Sequence, residues 1–138
     1  PCAFWLYAHF DPEYPLPPAP MRSKMPTGWP GSSEEIQGAT RGWPGVTAGP
    51  HRFGGIEFRF GKRELGHLHG DAWADIPFPK AIRNALVEAG EAQPHHVLPE
   101  SGWVSLPIRS AADVSKVIEL LRRSYDLAQA RRGQPIPE

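Results

Sequence analysis

The sequence predicts an α+β fold, a two-layer domain with a mainly antiparallel sheet of five to six strands and two or three helices packed on one face. Three observations predict it. Ile56, Phe58 and Phe60 alternate with Glu57, Arg59 and Gly61, the period of a half-buried strand. Val114, Val117, Ile118, Leu121 and Tyr125 recur at helical spacing behind Ser110, a helix cap with Asp113 three residues on. Strict βαβ alternation is absent, which argues against a doubly wound nucleotide-binding sheet.

Taken in order, residues 1–31 form an arm. Eight of the 17 prolines fall within residues 1–30, and each removes a donor and fixes φ, so an extended or polyproline-like path is expected. The arm also carries Phe4, Trp5, Leu6, Tyr7, Phe10 and Tyr14, which predicts that it packs on the core, on a partner, or on a second copy to form a homodimer; the alternative is a passenger segment from an upstream boundary. Gly28-Trp29-Pro30-Gly31 recurs as Gly42-Trp43-Pro44-Gly45, a repeated turn rather than a repeat architecture. Between the copies, Ser32 and Glu35 have capping-box spacing and predict a helix over about 33–42.

A single domain is expected over 32–130. From residue 51 the strand 56–60, a run from Glu64 to His69 and a run from Ala72 to Phe78 predict a meander, with Gly61-Lys62 and Gly70-Asp71 as turns. Pro77 and Pro79 open a helix through Ile82, Ala85, Leu86 and Ala89, ended by Gly90. His95–Leu98 and Trp103–Ile108 predict a second hairpin, and the long helix after Ser110 follows. Gly133, Pro135 and Pro137 predict a disordered tail over 131–138.

Composition narrows the function. Fifteen basic against 15 acidic residues argue against a phosphate-dominated nucleic-acid binder. One cysteine excludes a disulfide framework or an all-cysteine zinc cage, and no apolar run is long enough to span a membrane, so a cytoplasmic protein is expected. Arg59, Lys62, Arg63, Arg122, Arg123, Arg131 and Arg132 are basic, but Glu57, Glu64, Glu119 and Asp126 interleave with them, predicting a mixed solvated surface. Cys2, Ser101 and Ser105 lack the setting of an activated nucleophile.

Histidines carry the remaining chemistry. His67 and His69 stand two apart in a strand and project from one face, and only one of His95 and His96 is expected to join them if both lie in a strand. Three imidazoles, or two and a carboxylate, suit a divalent metal such as zinc, iron or nickel. The candidate metal ligands are His67, His69, His96 and Asp71, with Glu64 or Asp71 as base or supporting carboxylate and Asp75 following in the next strand. The same residues can instead line a metal-free polar pocket: His67, His69, His95, His96 and Glu64, with Trp73 and Trp103 as apolar walls. Leu65 shares the parity of His67 and His69, so that face can equally be core, with the histidines structural.

The stretches His51-Arg52-Phe53-Gly54-Gly55-Ile56-Glu57-Phe58 and Arg63-Glu64-Leu65-Gly66-His67-Leu68-His69-Gly70, the block Pro94-His95-His96-Val97-Leu98-Pro99-Glu100-Ser101-Gly102-Trp103-Val104, and the helix ending Arg123-Ser124-Tyr125 resemble the luciferase domain family, over about 36–128. The resemblance implies a small α+β domain and no particular reaction; flavin-dependent luciferases are much larger barrels. More distantly, the hairpin strand at Trp103 and the helix ending Ser124-Tyr125 are similar to the MmcQ/YjbR group, small α+β domains without the paired histidines. Together these lines predict a small-ligand-binding domain with a histidine-lined polar pocket, against a metal-dependent hydrolytic or oxygen-using enzyme and an interaction module built on the arm.

Overall fold

The computed structural model describes residues 28–51 and 54–132. The rest of the predicted arm, with Cys2 and His9, lies outside the described residues, as do Arg52, Phe53 and residues 133–138.

The elements run α1 (Ser32–Thr40), β1 (Val46–Pro50), β2 (Ile56–Phe60), β3 (Arg63–His69), β4 (Trp73–Pro77), α2 (Lys80–Glu88), β5 (Gln93–Pro94), β6 (Trp103–Pro107) and α3 (Ala111–Ala130). All six strands join one antiparallel sheet in the order β1-β2-β3-β4-β6-β5. Helix α3 packs across β2, β3, β4 and β6, α1 packs on α3, and α2 sits by β5 and β6. The α+β expectation and the meander therefore hold. Among the described residues no helix is long and apolar enough to cross a membrane.

Helix α3 forms as its pattern demands. The Ser110 hydroxyl accepts from the Asp113 amide at 3.2 Å, and Val114, Val117, Leu120, Leu121 and Tyr125 are buried along one side. Helix α2 ends in a Schellman arrangement: Gly90 has φ 75°, its amide reaches Val87 O, and the Glu91 amide reaches Leu86 O.

The start of α1 departs from expectation. Its N-cap is Gly31, at φ 85°, rather than a Ser32–Glu35 capping box. The free amides find Asp71 instead, with Ser33 N donating to Oδ1 at 2.8 Å and Gly31 N to Oδ2 at 3.2 Å. A carboxylate from the β3–β4 turn supplies both the acceptor and the negative charge that a helix start favours. The other turn copy anchors the far end of α1, where Tyr125 donates to Pro44 O at 2.6 Å and stacks on Trp43.

Two strands differ from the sequence reading. β1 has a single large apolar residue, Val46, and lies at the sheet edge, where neither alternation nor Pro50 marks it as a strand. β5 ends at Pro94, so His95–Leu98 is not a strand but a loop.

One irregularity sets what the sheet presents on its two faces. Phe58 pairs with Gly66, but the next residue, Arg59, pairs with Glu64, leaving Leu65 as an extra residue in β3. Leu65 thereby leaves the face of His67 and His69 and joins the apolar core with Phe58, while Ser124 of α3 donates to its carbonyl at 2.9 Å. Gly66 allows α3 this close: a Cβ there would lie 2.9 Å from both Leu121 Cδ2 and Asp75 O.

Candidate functional site

The face of the sheet away from α3 is assembled by register. His67 pairs with Asp75, His69 with Trp73, and Asp75 with Ser105, so these side chains share one face. Glu64 lies three residues before His67, a spacing that places residues on opposite faces of a regular strand. The extra residue at Leu65 reverses its parity and brings Glu64 to the histidines.

Asp75 is the centre. Its Oδ2 lies 3.2 Å from His67 Nε2, 3.0 Å from His69 Nε2 and 3.5 Å from His95 Nε2, and Ser105 donates to its Oδ1 at 2.6 Å. Asp75 and Ser105 are fully buried and His67 is 7% exposed. Burial alone would raise the Asp75 pKa, but hydrogen bonds from His67, His69, His95 and Ser105 outweigh it and hold the carboxyl well below the usual carboxylate range. Burial likewise opposes protonation of His67, yet the hydrogen bonds and charges of Asp75 and Glu64 hold its pKa up at about 9.

The partners assign the protons. His67 Nδ1 faces Glu64 Oε2 at 2.6 Å, and a carboxylate only accepts, so Nδ1 carries hydrogen and Nε2 is the atom turned to the centre. His95 is the reverse case. Its Nδ1 accepts from the Val97 and Leu98 amides at 3.2 and 3.0 Å, so its proton is on Nε2, the atom facing Asp75. His95 is therefore a donor to the carboxylate.

Aromatic rings close around this centre. Trp73 stacks on His69 with centroids 4.4 Å apart, Trp103 lies 5.3 Å from His67, and His96 stacks on His95 at 4.4 Å. Because the chain has left the sheet at Pro94, strand alternation no longer separates His95 from His96, and both join the cluster. His51, which the sequence reading set aside, stacks on His67 at 4.0 Å; burial and the His67 charge lower its pKa. Gln93, opposite Ser105 in register, holds a buried amide oxygen without a hydrogen-bond partner among the described residues.

Three overlapping sets of side chains bring ligand atoms within 4.8 Å of one another: His51, Glu64 and His67; His67, His69 and Asp75; Asp75, His95 and His96. Of the residues singled out from sequence, His67, His69, His95, His96, Glu64, Trp73 and Trp103 thus come together. Asp71 does not: it is committed to the start of α1, and Asp75 holds the position between the histidines. Asp75 was readable as the residue opposite His67 once the hairpin is centred on Asp71. Ser105 is brought in from thirty residues away and leaves no local signal. The described residues form a groove of about 610 Å³ elsewhere, lined by none of these side chains.

Residues 62–124 match the family model described as Luciferase domain. This stretch is similar to the luciferase domain family. The match runs from the β2–β3 turn into α3 and holds every member of the cluster except His51. The Phe53-Gly54-Gly55 stretch, which also carries the sequence resemblance, precedes the matched residues. No curated protein and no solved structure matches the chain.

Proposed function

We propose that this domain is a metal-dependent enzyme domain, with His67 Nε2, His69 Nε2 and Asp75 Oδ2 as ligands of one divalent ion. The observation that carries the reading is the convergence of imidazole nitrogens on a single buried oxygen, at 3.0 and 3.2 Å for the two ligands. Around a metal with bonds of about 2.1 Å, neighbouring ligand atoms stand about 3.0–3.4 Å apart. Three nitrogens face Oδ2, whereas a carboxylate oxygen offers two lone pairs. An ion taking the place of the donor protons relieves that crowding.

The surroundings support the same reading. A metal-binding histidine commonly gives its other N–H to a carboxylate, and His67 does so to Glu64. Ser105 and His95 fix the two oxygens of Asp75 in the same way. Two histidines and one carboxylate leave coordination positions open, so a bound ion would supply a Lewis acid for water, dioxygen or a small oxygen ligand. His51, His96, Trp73 and Trp103 are the groups that would flank such a ligand, and the single cysteine suits a reducing, cytoplasmic setting.

Elemental analysis of the tag-free full chain tests this, repeated on His67→Ala/His69→Ala and on His69→Gln. The expected result is about one zinc, iron or nickel ion per chain, lost from both variants while far-UV circular dichroism is retained by at least the single one. A metal-free protein that takes up none of these ions on titration overturns the proposal. In that case the cluster is a hydrogen-bonded polar site, and thermal-shift screening of small polar ligands is the next measurement.

A further inference from the structure

Of the basic residues near the β2–β3 turn and the end of α3, Arg59 and Arg122 take neighbouring acids, as a mixed surface requires, but the others are left over. Their acids are drawn away: Glu57 pairs with Arg59, Asp126 with Arg122, and Glu64 turns to His67. Lys62, Arg63, Arg131 and Arg132 are left with no ion pair among the described residues. These four line the groove of about 610 Å³, together with Phe60 and Ala128 and with no carboxylate among the described residues. Its volume is in the range of small-molecule sites.

The floor is aromatic and apolar. The Phe60 ring meets Tyr125 edge to face at 5.5 Å, and the Arg132 guanidinium lies 6.0 Å above Phe60. Gly45, at φ +82°, brings no side chain against that ring; a Cβ there would come within 2.7 Å of Phe60 Cε1. Arg131 and Arg132 also oppose the negative end of the α3 dipole, but Lys62 and Arg63 sit on a hairpin and have no such use. Four unpaired cations around an apolar floor cost self-repulsion unless an anion enters.

We propose that this groove binds a soluble aryl or nucleoside phosphate, a small molecule that joins a flat apolar group to a multiply charged anion. The flat group lies against Phe60, and the phosphate is held by Lys62, Arg63, Arg131 and Arg132. The site is independent of the histidine cluster and does not rest on its metal.

Calorimetric titration of the full chain with 2-naphthyl phosphate tests it, with 2-naphthol and inorganic phosphate as the separate halves. The naphthyl phosphate is expected to bind at least about tenfold more tightly than either half. Affinity should fall as salt is raised from about 0.05 to about 0.5 M. Arg63→Glu/Arg131→Glu, or the milder Lys62→Gln/Arg132→Gln if the first fails to fold, should weaken binding by about tenfold or more with metal content unchanged. Binding of 2-naphthol as tight as that of its phosphate, or unchanged affinity in a folded variant, overturns the proposal. So does flotation with phosphatidylserine vesicles that naphthyl phosphate does not compete away, which would assign the patch to a membrane surface.

Discussion

On the side facing α3, Phe58, Leu68, Ala74 and Ile76 are fully buried among apolar side chains; on the other face of the same sheet, Asp75 and Ser105 are as deeply buried beside the imidazoles. The two environments stabilise the fold differently. Apolar burial contributes about 25 cal/mol per Å² whatever the partner, so the helix side depends on volume and packing. A buried hydrogen bond contributes only about 0.5–1.5 kcal/mol net, yet losing one partner of a buried charged pair costs several times more. The polar side, with two carboxylates among a cluster of histidines, is therefore an expensive way to fill a sheet face, which supports the use proposed for it.

The largest effect should follow from breaking that side at its centre. Asp75→Ala removes the one acceptor shared by His67, His69 and His95 and leaves their Nε2 atoms without that carboxylate, His67 keeping only Glu64 at Nδ1. The expected outcome is a loss of about 3–5 kcal/mol in denaturant unfolding, the usual cost of removing one partner of a buried ion pair, together with loss of bound metal. Leu68→Ala, one position from both histidines but on the other side, should cost about 2–5 kcal/mol by opening a cavity. It should leave metal per folded chain unchanged. Metal loss in Leu68→Ala, or its retention in Asp75→Ala, would break the division between the two sides.

How much of this was legible differs between them. The helix side was read almost whole, because α3 declares itself through a cap and a long apolar stripe, both local properties of the chain. His67 and His69 were legible for the same reason, as alternation within one strand. Ser105 was not, since its place depends on the pairing of β4 with β6 across α2 and a loop. Glu64 was legible as a candidate, but strand parity pointed it to the wrong face, and only the extra residue at Leu65 corrects that. His95 and His96 were placed on opposite faces by an assumed strand that Pro94 ends. Register shifts and strand endings depend on packing against α3 and the neighbouring strands, which no short window of sequence contains.

A smaller effect isolates the support around the centre. Glu64→Gln keeps the shape and a hydrogen-bonding oxygen beside His67 Nδ1 but removes the charge 2.6 Å away. Loss of such a supporting carboxylate commonly weakens a metal site by about 10–100-fold. Competition with a chromogenic chelator should report a shift in that range, with little change in unfolding midpoint because Glu64 is partly exposed. An unchanged affinity would make Glu64 a bystander and reduce the site to Asp75 and its two histidines.

The smallest effect separates two aspartates four residues apart on the same hairpin. Asp71 follows His69 by two and looks from sequence like the natural third ligand, but both of its oxygens are spent on Gly31, Ser32 and Ser33 at the start of α1. Asp71→Ala should therefore behave as the loss of a helix cap, costing about 1 kcal/mol in denaturant unfolding. Metal content should stay at the wild-type level. The reverse pattern, with metal lost and stability kept, would move the ligand from Asp75 to Asp71 and with it the centre of the site to the turn. The expected pattern instead makes the hairpin serve both sides at once: its strand aspartate organises the polar cluster, and its turn aspartate ties the outermost helix to the sheet.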